Sequence, residues 1–179
     1  MFSLPPPPTW DGLHPLVTHF PVALLLVAPL FVVLGLVRRT SGTAFLRAAL
    51  LLMVLGTIAI YVAVPTGEAA GRLAERSPQV NQVLEQHEEL AEASRVLFTA
   101  LTVIFGVIVF GPIVLKKELE RRSTLALHAA FLILYGAGAA VLSNTAHQGG
   151  QLVHALGVHA LTTPPSAVAG LPPAAGDDD

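Results

Sequence analysis

The sequence predicts an all-α membrane protein: a four-helix bundle of four transmembrane helices, with both termini outside and the third helix extended above the outer surface. Three observations carry this expectation. Of the 179 residues, 53% are hydrophobic and 12% charged, whereas a soluble domain carries roughly 25% charged residues. The apolar residues gather into four segments, Leu16 to Val37, Ala48 to Val64, Val96 to Leu115 and Leu125 to Leu142. Each holds about 17 to 22 residues, enough to cross about 30 Å of hydrocarbon at about 1.5 Å per residue. None carries a polar stripe that would face water, which excludes a soluble bundle of buried helices. Finally, seven of the ten basic residues fall in two short loops, Arg38, Arg39 and Arg47 in one and Lys116, Lys117, Arg121 and Arg122 in the other. The positive-inside rule assigns both loops to the cytoplasm. The termini and the segment from Pro65 to Ser94 then lie outside, which in a bacterium with an inner membrane means the periplasm.

Residues 1–12 read as a flexible proline-rich lead-in, with Pro5 to Pro8 extended and Trp10 at the outer headgroup level. No lysine or arginine precedes the first apolar segment, so that segment reads as a first span and not a cleaved leader. The membrane domain covers 13–160. Within its first span, Pro29 is interior and should kink the helix unless neighbours compensate. The second span is expected to end at Pro65, where Thr66-Gly67 and Gly71 signal a turn. Ser77-Pro78 is a helix start, serine as cap and proline at the first helical position. No breaker follows before Gly106, so one helix should run from Pro78 through the third span. Its outer face, Val80, Val83, Leu84 and Leu90, needs a covering partner; Leu152, Val153, Leu156 and Val158 are the candidates. Small residues Gly136 to Ala140 allow close approach in the fourth span, or leave room for a flat cofactor, the former being favoured. Residues 161–179, rich in proline, alanine and glycine and closing in Asp177 to Asp179, read as a disordered tail.

A net charge of −2 argues against a nucleic-acid partner, and the absence of cysteine excludes thiolate sites and covalent c-type haem attachment. Any metal or haem would therefore depend on imidazole. Six of the seven histidines fall outside, four of them at or near helix ends: His14, His19, His87 and His147. His19 lies about one turn inside the first span, where polar side chains usually have a partner. His87 precedes Val96 by nine residues, roughly 13 Å of helix. His14 and His19 stand about 140° apart around a helix, so one iron is better served by pairing across helices: His14 or His19 with His87 or His147. His128, alone at the inner end, has no partner for an inner haem.

The run Leu13-His14-Pro15-Leu16-Val17-Thr18-His19-Phe20-Pro21 resembles the opening of the DUF2231 family of uncharacterised bacterial membrane proteins. Thr66-Gly67, His87-Glu88 and Ala146-His147-Gln148-Gly149-Gly150-Gln151-Leu152-Val153 follow in the family's order, so the resemblance covers about residues 13–158. The chain departs from the pattern at His154, where the family tends to have tyrosine, so no role is carried to His154 or His159. Relatives joined to c-type cytochrome modules imply a link to electron transfer.

These readings converge on an integral membrane b-type cytochrome-like protein. Haem b would be held near the periplasmic face by residues drawn from His14, His19, His87 and His147, with electrons passing within a membrane redox complex or to a periplasmic cytochrome. An electron-transfer or accessory subunit is expected more than a stand-alone enzyme, since no nucleophile–base arrangement is recognisable. Two alternatives stay open. One is a cofactor-free structural or accessory subunit of a larger membrane complex. The other is a protein binding a divalent metal such as zinc or copper, with His19 and His147 as ligands and Glu68 or Glu88 completing the set. Oligomeric state is left open.

Overall fold

The computed structural model describes residues 8–38, 40–117 and 120–158. The lead-in up to Pro7, Arg39, and the tail from His159 through Asp179 lie outside the described residues. A 3-10 turn, Asp11–Leu13, leads into α1 (His14–Val17) and α2 (His19–Val37), followed by α3 (Gly42–Leu73), α4 (Pro78–Val114) and α5 (Arg121–His154). Four stretches, Asp11–Val37, Gly42–Leu73, Pro78–Val114 and Arg121–His154, are long and apolar enough to cross a membrane. The described residues contain no strand.

Two helical hairpins form the bundle. α2 packs chiefly on α3 and α4 chiefly on α5, while α3 against α4 joins the hairpins and α2 meets α5 least. Glycines bring each hairpin's helices close. A Cβ on Gly56 would stand 2.6 Å from Leu25 Cγ, and one on Gly138 2.9 Å from Leu101 Cδ1, the small-residue contact expected where lipid offers no hydrophobic drive between helices. Leu25, Met53, Phe98, Phe105, Phe131 and Tyr135 fill the interior, with Phe105 and Phe131 stacked at 4.7 Å. Leu30, Val103 and Ile133 are exposed on the outside, Ile133 by 79%. This is the inverse of a water-soluble surface and suits contact with hydrocarbon.

The proline-rich opening breaks the first helix locally. Pro21 has no amide hydrogen for the Val17 carbonyl, and Thr18, between α1 and α2, turns its hydroxyl to the Pro15 carbonyl at 3.3 Å. At Pro65 the expected turn does not form: α3 continues to Leu73. The Thr66 hydroxyl bonds back to the carbonyls of Val62 and Ala63, both at 2.9 Å, and tertiary contacts hold this stretch helical where local sequence suggests a break. The helix stops later, with the Arg76 guanidinium donating to the Gly71 carbonyl at 3.0 Å.

Ser77 caps α4 as its sequence predicts, its hydroxyl accepting from the Val80 amide at 3.2 Å. The first turns of α4 and the last of α5 then pair. Val80, Leu84 and Leu152 form a second apolar cluster with Val83, Leu156 and Val158 around them, while Val153 stays exposed. This cluster closes the same end of the bundle that carries most of the histidines.

Candidate functional site

At the end of the bundle opposite Arg38, Arg47, Lys116 and Lys117, a cavity of about 1300 Å³ opens between the helices. Its floor is apolar (Ile60, Val64 and Leu142), and its walls bring in His14, His19, His87 and His154.

His14 is delivered by the turn ahead of α1. Its Nδ1 lies 2.9 Å from the Ala63 carbonyl and 3.3 Å from the Thr66 hydroxyl, both on α3. His87, three turns into α4, places its own Nδ1 2.9 Å from the Thr145 carbonyl on α5. A carbonyl oxygen can only accept, so in each ring Nδ1 carries the hydrogen and donates it. In the neutral ring Nε2 is then the atom with the free lone pair, and neither Nε2 has a hydrogen-bond partner among the described residues. The two ring centres are 6.4 Å apart with their planes at 84°. Both rings are partly buried.

Glycines permit these positions. Gly67 lies against the His14 ring and Gly149 against that of His87, each so close that a Cβ would collide or crowd. Glu88 lies across buried Gly71 on α3, and it lines the cavity together with Glu68, Glu89 and Glu92.

The other histidines stand apart from this pair. His19 is exposed at the cavity rim and bonds through Nδ1 to the Pro15 carbonyl of the preceding short helix α1, at 2.8 Å. His147 is exposed, contacts Gln151 of its own helix at 3.0 Å, and does not line the cavity. His128, at the other end, is buried beside Phe105 and bonds the Thr124 carbonyl at 2.8 Å. Of the four histidines proposed from sequence, the fold thus brings together His14 and His87. No group of three or more histidine, aspartate or glutamate side chains arranged to hold a metal ion occurs among the described residues.

The residues that seat the two rings stand in runs that carry the family resemblance, but no seat was expected of them. Thr66-Gly67 reads locally as a turn, yet Gly67 and Gly149 both lie inside helices and against a histidine. The available signal was a glycine placed in an otherwise helical stretch, which usually marks close packing.

A family model described as a predicted membrane protein, DUF2231, matches residues 11–162, which takes in all four apolar helices. No curated protein and no solved structure matches the chain.

Proposed function

The chain belongs to the DUF2231 family of predicted membrane proteins, and from its paired imidazoles we propose that it is a b-type cytochrome-like electron carrier, with haem iron held between His14 and His87. The observation that carries this reading is the 6.4 Å separation of the two ring centres. A metal–imidazole bond of about 2 Å puts an ion about 3 Å from each ring centre, so two rings on opposite sides of one ion sit about 6 Å apart. Both Nδ1–H groups are anchored on backbone carbonyls, the outer contact that fixes tautomer and orientation in metal-binding histidines. A bare divalent ion asks for about four ligands. Haem iron already carries its four porphyrin nitrogens, so two histidines would be enough to hold it. The cavity of about 1300 Å³ exceeds the roughly 300–1,000 Å³ of ordinary small-molecule sites.

When bound, the haem supplies reversible one-electron chemistry. The protein's residues would do the holding: His14 and His87 would offer Nε2, the Ala63 and Thr145 carbonyls fix the rings, and the apolar floor would limit water beneath them. With the basic loops in the cytoplasm, the site faces the periplasmic side of the inner membrane, where a soluble cytochrome or a membrane redox complex would exchange electrons with it.

A reduced-minus-oxidised optical spectrum of the detergent-purified protein tests this. Sharp haem bands are expected, lost in His14→Ala and in His87→Ala and retained in His19→Ala and His147→Ala. A colourless protein carrying stoichiometric zinc or copper would replace haem with an ion. A colourless, metal-free protein that co-purifies with a large complex would leave the accessory-subunit reading.

A further inference from the structure

We infer that the bundle is a two-fold repeat of one helical hairpin, that each copy builds a seat for its own histidine, and that Gly67 and Gly149 are the positioning residues of those seats. The inference rests on reading His14 and His87 as a ligand pair, and it specifies what holds them.

In the first hairpin a histidine near the start of the leading helix donates through Nδ1 to a carbonyl on the returning helix, Ala63. The second hairpin does the same with His87 and Thr145. The sequence separations, 49 and 58, are comparable. In each case the residue four places after the accepting carbonyl is a glycine under the ring, Gly67 or Gly149. Residues four apart share one helix face, one turn apart. Carbonyl and bare Cα therefore form a shelf on which an imidazole can lie while donating its hydrogen. A Cβ on Gly67 would stand 2.7 Å from His14 Cε1, and one on Gly149 3.1 Å from His87 Cε1. A threonine accompanies each seat: Thr66 beside the first, Thr145 as the acceptor of the second. Both leading helices enter from the same end of the bundle, so a rotation about the bundle's long axis relates the hairpins and brings the two rings together edge to face.

Sequence comparison of the halves does not reveal this. Ala-Val-Pro-Thr-Gly at 63–67 and Thr-Ala-His-Gln-Gly at 145–149 share only the final glycine. The repeat lies in the backbone shelf, and glycine is the one residue whose identity the shelf requires.

The test is nitrogen NMR of the histidine rings in the full chain, purified in detergent without added cofactor. In the unmodified protein both His14 and His87 should show hydrogen-bonded Nδ1–H and bare Nε2. Gly67→Ala should disturb the His14 signals alone, and Gly149→Ala the His87 signals alone and by less, because its approach is milder. Gly136→Ala, at a position with nothing within 4 Å, should leave both unchanged. If Gly67→Ala does not fold, Gly149→Ala carries the test. Ring signals identical in the glycine variants and the unmodified protein would overturn the seats, whatever the protein binds. Seats that respond as expected in a protein that never takes up haem would uphold this inference while ending the cytochrome reading. In a haem-loaded protein, a second readout is a shift from six-coordinate low-spin toward five-coordinate high-spin bands, larger for Gly67→Ala than for Gly149→Ala.

Discussion

Tyr135 and Leu25, 110 positions apart, are joined in the middle of the bundle by a 2.7 Å hydrogen bond from the tyrosine hydroxyl to the leucine carbonyl. The residue four places after Leu25 is Pro29, which has no amide hydrogen to offer that carbonyl. The proline therefore creates an unpaired acceptor inside the membrane, and α5 supplies the donor. In hydrocarbon such a group has no water to fall back on. One bond thus repairs α2 and ties the first hairpin to the second, where the helices otherwise touch least.

Removing the hydroxyl should expose that debt. Tyr135→Phe leaves the Leu25 carbonyl buried and unpaired, at a cost of about 1–3 kcal/mol. In a Pro29→Ala background the amide returns, and the same change should cost less than about 1 kcal/mol. A double-mutant cycle on unfolding in mixed detergent measures the difference. Equal losses in both backgrounds would show that the tyrosine acts only through its packing.

Gly136 and Gly138 make opposite predictions two residues apart. A methyl on Gly138 meets Leu101 at 2.9 Å, while one on Gly136 meets nothing within 4 Å. Gly138→Ala should destabilise by about 1–3 kcal/mol through overpacking of α4 on α5. Gly136→Ala should be neutral or stabilise by up to about 1 kcal/mol, since glycine loses more backbone freedom in a helix. Thermal unfolding of the two variants under identical conditions decides the point. Similar losses would mean that the fourth helix tolerates no side chain on either face.

The helices were legible because their signals are collective. Runs of apolar residues, clustered arginines and lysines, and the Ser77-Pro78 start each declare themselves without tertiary knowledge, and the covering of Val80 and Leu84 by Leu152 followed from spacing alone. The seats of His14 and His87 were not legible. A ring whose shorter bond goes to a backbone carbonyl 49 or 58 residues away leaves little side-chain signal to recognise, and a mid-helix glycine looks locally like a breaker. Pro65 misled for the same reason: Thr66 and the packed His14 outweigh the proline's local preference. His19 and His147 were prominent in the sequence, yet partners four residues away, Pro15 and Gln151, satisfy them.

Acid should release whatever the two histidines hold. A ligating ring is neutral, with hydrogen on Nδ1 and the lone pair on Nε2; protonation removes that lone pair, so binding expels protons and weakens as pH falls. If the pair holds haem as proposed, its bands should fade together on acidification through and below the ordinary histidine range, about 6.5, and return on neutralisation. His19→Ala and His147→Ala should follow the same curve as the unmodified protein. Bands that persist unchanged far below that range would point to a ligand other than imidazole.

The sidedness of the site can be tested cleanly because the sequence has no cysteine, so any introduced thiol reports alone. Gln82, exposed near the start of α4, stands at the histidine end. Thr40 and Ser123 are exposed at the other end, beside the basic loops. The positive-inside bias of Arg38, Arg47, Lys116, Lys117, Arg121 and Arg122 predicts that an impermeant thiol reagent added to spheroplasts labels Gln82→Cys. It should reach Thr40→Cys and Ser123→Cys only after permeabilisation. The reverse pattern would turn the cavity, with His14 and His87, toward the cytoplasm. A periplasmic cytochrome could not then be the partner, and any electron reaching His14 and His87 would have to come from or go to the cytoplasmic side.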